Sequence, residues 1–524
     1  MSLSPLDITA FAIYCVLLVG VAWWVSREKP GHEKNSTDYF LAGKTLPWWA
    51  IGASLIAANI SAEQIMGMSG DGFRIGMAIA SYEWMAAVSL LIIGKFFLPI
   101  FLKTGITTMP QFLEQRYDHR VRTVMAVFWL TLYTFVNLTS ILWLGTLAIE
   151  AVTGLEPVYG MVFLAVFSIG YSIYGGLKAV ALTDIIQVVL LILGGLLVSF
   201  LALNEIAVMN DQSGAIQGFS ILLAEMPEKF DMILSSESEF YGDLPGISVL
   251  VGGLWIMNLS YWGFNQYITQ RTLAAKSLAE AQKGIAFAAY LKILMPLIVV
   301  LPGICAAMLK PELSEQDQAY PEMMKLVPQG LLGISFAALV AAIASSLGSM
   351  VNSISTIFTV DIYAKLINKE ATEHRKVVIG RTVACTAMLL AAIISRPLLG
   401  NFPGAFRFIQ EFTGFFTPGI VTIFLLGFFW KAASATSALV AAVASVVLSA
   451  LMWHFWPGLP FIDRVGLVFI ACVLLALLVT SLGGQKEQPN AIHLDDISFR
   501  TSSSFNILSL GVVLILVALY SVWW

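Results

Sequence analysis

Stretches of about 20 apolar residues recur along this chain from its first residues to its last, and nothing else in the sequence constrains the fold as strongly. Hydrocarbon offers backbone N–H and C=O groups no partner, so a run of that length must close its own hydrogen bonds as a membrane-spanning helix. Fourteen runs can be read, at about 7–25, 47–72, 76–100, 123–152, 157–174, 181–207, 247–268, 284–308, 329–360, 381–398, 404–430, 432–455, 464–483 and 505–524. The expected fold is therefore an all-α polytopic membrane protein. The first run lacks a basic flank and a small-residue cleavage site, and reads as a retained span. Only 12% of residues are charged, about half the share in a soluble domain. The net charge of −4 offers no footprint for nucleic acid.

Basic residues near spans stay on the cytoplasmic side. With the N-terminus outside, the inner loops collect 20 of the 29 Lys and Arg residues and the outer segments seven. That bias predicts a multi-pass protein of the cytoplasmic (inner) membrane with both termini extracytoplasmic. The longest non-spanning stretch, 208–246, then lies outside. It holds seven carboxylates and one base, Lys229, and reads as a solvated loop or, more specifically, a small lid over an outer vestibule.

Two runs break the rules of a plain anchor. The second contains Asn59-Ile60-Ser61-Ala62-Glu63-Gln64 followed by Gly67, Gly70 and Gly72; the seventh contains Asn258-Leu259-Ser260-Tyr261-Trp262-Gly263, ending in Asn265 and Gln266. Interrupted helices at corresponding places in two halves mark the binding site of many transporters. Runs two to six and seven to eleven form two blocks of five, and an odd number per block inverts the second. The chain divides accordingly into an extra span and loop (1–46), a first five-helix repeat (47–207), the acidic loop (208–246), a second, inverted repeat (247–430) and three further spans (431–524).

Charge inside spans is the second signal. Glu63, Glu83 and Lys292 each cost about 2.5–3.5 kcal/mol or more at membrane depth. Together with Asn59, Gln64, Asn258 and Gln410 they predict one wet cavity. Amides with one acid and one base offer donors and acceptors to a neutral, hydroxyl-rich solute, and Tyr82, Tyr133, Tyr261 and Trp262 could stack on a sugar ring. Lys292 alone could instead extend its amine to the membrane surface. In the ninth run, Ser345 and Ser346 read as close-packing residues or as part of an oxygen-only cage for a small cation such as Na⁺. The four cysteines make no metal or redox spacing. No Walker loop, His-Glu-x-x-His or nucleophile elbow occurs, so the chain is not expected to be an enzyme, and an ion gradient would have to drive transport.

The stretches DYFLAGKTLPWWAIGASLIAANISAEQ (38–64), ASYEWM (80–85), FVNLTS (135–140), YSIYGGLKAV (171–180), YWGFNQYITQRTLAAKS (261–277), SSLGSMVNS (345–353) with DIY at 361–363, and FIQEFTG (408–414) resemble the sodium/solute symporter family in order and in register. That resemblance implies fourteen spans around a LeuT-like core whose repeats each begin with a discontinuous helix. It implies coupled import of sodium and a neutral hexose of the galactose or glucose type by alternating access; another small solute (polyol, nucleoside, amino acid or organic anion) is the alternative. The implied sugar contacts are Gln64, Glu83, Asn258, Lys292 and Gln410, with Asn59 and Asn137 nearby. The implied gate is Tyr261, with Trp262 beside it and Tyr82 on the outer side. The implied sodium ligands are the carbonyls of Ala57, Ile60 and Ala342 and the hydroxyls of Ser345 and Ser346, with Asp184 on the sodium exit path. Ala86 stands where the family has a sugar-contacting serine. The expected partners are the sugar, Na⁺ and the lipid bilayer; no oligomeric state can be read.

Overall fold

Wherever a run is unbroken and apolar, the chain forms one long helix. The structure, a computed structural model, describes residues 3–27, 35–313, 315–399, 405–484 and 486–524. Lys29 and Lys34, two of the 20 inner-loop bases, and residue 404 at the start of the eleventh run lie outside the described residues. Among the described residues, ten helices are long and apolar enough to cross a membrane. They fall on ten of the fourteen runs, with ends shifted by up to about eight residues, as at Glu373–Leu399 and Leu332–Ile367.

The other four runs are short or broken, each for a local reason. Pro157–Ile173 is a shorter helix, separated from Gly175–Met209 by a sharp change of direction at Gly176 (φ +56°). A side chain there would sit 2.2 Å from the carbonyl of Tyr39, so only glycine allows that turn. The eleventh run divides into Ala405–Gly414 and Thr417–Phe429. The second divides into Trp48–Asn59, a wide π turn at Glu63–Met68 and Ser69–Arg74, with Ile60 extended (φ −76°, ψ 109°). The seventh continues past its polar cluster through a π turn at Ser260–Phe264 and breaks at Asn265 (φ −85°, ψ 121°) before Gln266–Leu273. The two Asn-x-Ser triplets are thus not structurally equivalent. The first adjoins its break, whereas the second precedes its break by about two turns of helix.

The Leu332–Ile367 helix forms the centre of the bundle, and 94% of its most apolar window is buried. Beside it, Leu278–Leu309 packs backbone to backbone against the first broken helix. A Cβ on Gly303 would lie 1.9 Å from the Ser69 carbonyl oxygen, and one on Gly72 would lie 2.6 Å from that of Val300. Small residues permit this approach, which buries the freed backbone of a broken helix in protein rather than lipid. Gly303→Val is therefore expected to destabilise the fold by at least about 1–3 kcal/mol, read as a lower melting temperature in detergent.

Of the bases counted in the inner loops, Arg116, Arg122 and Arg271 are internal instead. The Arg116 guanidinium donates to the carbonyls of Gly427 (2.7 Å), Trp430 (2.9 Å) and Ala433 (3.1 Å), satisfying the open end of the Thr417–Phe429 helix. Arg122 is paired with Asp361 (2.7 Å) and with Glu114, and Arg271 is fully buried. Sequence position places such residues between spans, but orphaned carbonyls and buried carboxylates draw them inward. Glu114, on the short Met109–Arg116 helix, is partly buried, which opposes its charge. Hydrogen bonds from Lys365 and Arg122 outweigh that and hold its carboxyl below the usual range.

Candidate functional site

Breaking a helix leaves backbone groups and polar side chains that need partners, and here the breaks face one cavity. Its space, counted together with the open solvent at its mouth, is about 760 Å³. Asn59 and Gln64 line it from the first broken helix, and Asn258, Tyr261 and Trp262 from the second. Tyr82, Glu83 and Ala86 face it from the Ser81–Ile92 helix, Lys292 from Leu278–Leu309 and Gln410 from Ala405–Gly414. Asn137 alone among the expected solute contacts is not in the lining. It is buried in the π turn at Leu132–Leu138, with its Oδ1 unpartnered among the described residues.

Lys292 does not reach for the membrane surface. It is 1% exposed, and its Nζ lies 2.5 Å from Glu83 Oε2 and 5.0 Å from the centre of the Trp262 ring. The same amine donates to Asn59 Oδ1, and Asn59 Nδ2 donates to the Tyr261 hydroxyl (2.9 Å). Each buried group thus has an opposite partner and a hydrogen bond to it, the arrangement a pair at this depth needs. The cavity wall therefore presents a carboxylate, an ammonium and amides within reach of one another. Such a wall can exchange its internal hydrogen bonds for those of a polyhydroxylated guest. Ala86 adds only a methyl to it.

Below Tyr261 a polar aromatic stack continues that was only partly read from sequence. The Tyr267 hydroxyl donates to that of Tyr261, with the rings 5.8 Å apart and nearly perpendicular. Tyr133 stands at the same distance from Tyr267, donates to Asn265 Oδ1 and accepts from the Gln266 amide (2.9 Å). Tyr267 was missed, and Asn265 was read only as the end of the interrupted stretch; the signal for both was the break itself, which falls at that end. Glu63 also lies at the first break, with its Oε2 buried and unpartnered among the described residues.

The paired serines separate. Ser346 Oγ donates to the carbonyls of Ala58 (3.0 Å) and Ile60 (3.2 Å), where the first helix ends. The Ile60 and Ala58 carbonyls thus meet Ser346, and Ala57 and Ala342 are buried in the same two helices. Ser345 Oγ donates instead to Asp184 Oδ1 (2.6 Å). Asp184 also accepts from Ser54 and lies 3.6 Å from Arg271, whose guanidinium donates to Ser349. Oxygen atoms alone converge beside Ser346, a donor set suited to a hard cation.

Residues 39–445 match the sodium:solute symporter family. A sodium/glucose cotransporter from Vibrio parahaemolyticus is 48% identical across 100% of this chain and 99% of that protein. The human sodium/myo-inositol cotransporter 2 is 32% identical across 85% of this chain and 69% of that protein. Among solved structures, a Na⁺-coupled sialic acid symporter in a substrate-bound outward-open state superposes with a TM-score of 0.79, at 23% identity, over 91% of this chain and 98% of that one. A nucleobase-cation-symport-1 family transporter in a closed conformation superposes at 0.54, with 14% identity, over 87% and 98% of the two chains. These two share the architecture.

Proposed function

Because the chain belongs to the sodium:solute symporter family, it is a transporter and not an enzyme, and we propose that it imports a neutral hexose together with Na⁺. Glu83, Lys292 and Asn59, mutually bonded in a cavity between two broken helices, carry this reading. Gln64, Asn258 and Gln410 complete the sugar contacts, with Asn137 behind them. Na⁺ sits among the carbonyls of Ala57, Ala58, Ile60 and Ala342 and the hydroxyls of Ser345 and Ser346. It ties the first broken helix to the central helix, so that the cavity takes its sugar-binding shape. By linkage the sugar then strengthens Na⁺ binding equally. Tyr261, backed by Trp262 and Tyr267, closes the cavity toward the cytoplasm, and Tyr82 flanks it on the outer side. Asp184 receives the ion as it leaves.

We place the protein in the inner membrane with fourteen crossings, the short and broken helices completing the ten long ones, in two inverted five-helix repeats. Both termini then face outward, a reading that the distribution of Lys and Arg supports. One Na⁺ moving across ~100 mV releases ~2.3 kcal/mol, and a tenfold gradient adds ~1.4 kcal/mol. Together these support accumulation of roughly several hundredfold.

Purified protein in liposomes is expected to accumulate labelled glucose or galactose under an inward Na⁺ gradient and to stop when K⁺ replaces Na⁺. Equal uptake in the two salts would overturn the proposal. Unlabelled myo-inositol in the same assay separates a polyol transporter from a hexose transporter, because a polyol carrier would be inhibited by it at least as strongly as by glucose.

A further inference from the structure

The acidic segment 208–246 is fastened to the end of the first broken helix. Lys229 Nζ, its one base, donates to the carbonyls of Phe73 (3.0 Å) and Arg74 (2.6 Å), two acceptors left open where Ser69–Arg74 ends. Gly76 has φ +109°, and a Cβ on it would lie 2.4 Å from the Lys229 carbonyl oxygen, so glycine is needed for this contact. Arg74 Nη2 lies 2.7 Å from Asp243 Oδ2 of the same segment and 3.8 Å from Asp71, and its guanidinium carbon is 5.1 Å from the centre of the Phe240 ring. The Arg74 and Asp243 side chains are 32% and 17% exposed, so water screens the pair only partly.

This fastening lies on a route. The main cavity shares Tyr82 and Gln410 with a narrower space of about 440 Å³. That neck in turn shares Arg74, Asp243 and Phe461 with a wide vestibule of about 1,410 Å³. The geometry points to Arg74 as the positioning residue of an outer lid: its ion pair with Asp243 holds the acidic segment across the neck, parts to admit the solute and re-forms behind it. Lys229 acts as the hinge, because it bonds to backbone carbonyls and is not itself in the neck lining. This inference rests on the outward placement of the segment argued above. It assigns to this chain's own charges a step distinct from solute and ion binding.

The test follows access to the neck. Ile79 lines it and is 3% exposed, so Ile79→Cys, in a full-length chain with its four native cysteines replaced by serine, reports opening through modification by a membrane-impermeant charged thiosulfonate added outside. R74Q or D243N is expected to speed modification about fivefold, the value of one partly exposed ion pair. The double variant R74Q/D243N should match either single variant, because both remove the same interaction, and R74K should stay within about twofold of the parent. Unchanged rates in the single variants, or effects that multiply in the double variant, would overturn the latch. Modification requires no transport. Coupled rates in a protein that fails to take up sugar would remove the sugar assignment and leave the latch standing.

Discussion

Lys292→Met is expected to abolish Na⁺-driven sugar uptake, by at least about a hundredfold, and to destabilise the protein at the same time. The amine is 1% exposed and bonds Glu83 and Asn59 together. Its loss leaves the buried Glu83 carboxylate without its counter-charge, and leaving one charge of a buried pair uncompensated costs about 3–5 kcal/mol. Stability and transport then respond differently to a second substitution. In Lys292→Met/Glu83→Gln no charge is stranded, so the melting temperature in detergent should recover most of the loss. Uptake should not recover, because a site for a hydroxyl-rich solute has lost both its strongest donor and its strongest acceptor. A double variant that transports normally would show that the pair only supports the fold.

The second large effect is expected at the paired serines. Ser346→Ala should raise the Na⁺ concentration for half-maximal uptake about tenfold or more, with the protein still folded, since one buried polar contact is worth about 1–3 kcal/mol. Ser346 reaches the carbonyls of Ala58 and Ile60 directly, whereas Ser345 bonds to Asp184. Ser345→Ala should therefore shift the Na⁺ dependence less, because Asp184 already takes up part of that hydroxyl's bonding. Uptake measured against Na⁺ concentration at saturating sugar separates the two. A larger shift for Ser345→Ala would move the ion from the helix break to Asp184.

The same two groups of residues show how much of this site a linear reading reaches. Glu83 and Lys292 were legible because a charge at membrane depth is costly enough to need a purpose. Asn59 and Gln64 were legible because polar residues in mid-span foretell a break. Their pairing was not, since Lys292 meets Glu83 across 209 residues and Asn59 across 233. Arg271 shows the reverse error. Its neighbours place it in a loop between spans, yet it is 0% exposed and lies 3.6 Å from Asp184. Periodicity and loop composition report an average environment for a segment, and a single inward-turned guanidinium leaves no trace in that average.

The bilayer is why the sequence alone determined so much. Apolar runs must become helices because hydrocarbon satisfies no backbone group, and the family's ordered motifs assign those helices to a known architecture. What only the tertiary structure decided is where the rules give way. The polar stretch from Asn258 to Gln266 breaks only near its end, at Asn265, because its earlier part can stay helical while it faces a polar cavity. The serines divide between a helix end and a carboxylate, and Arg74 finds Asp243 across 169 residues. Each outcome depends on which orphaned polar group lies nearest in space, and that distance exists only once the helices have packed.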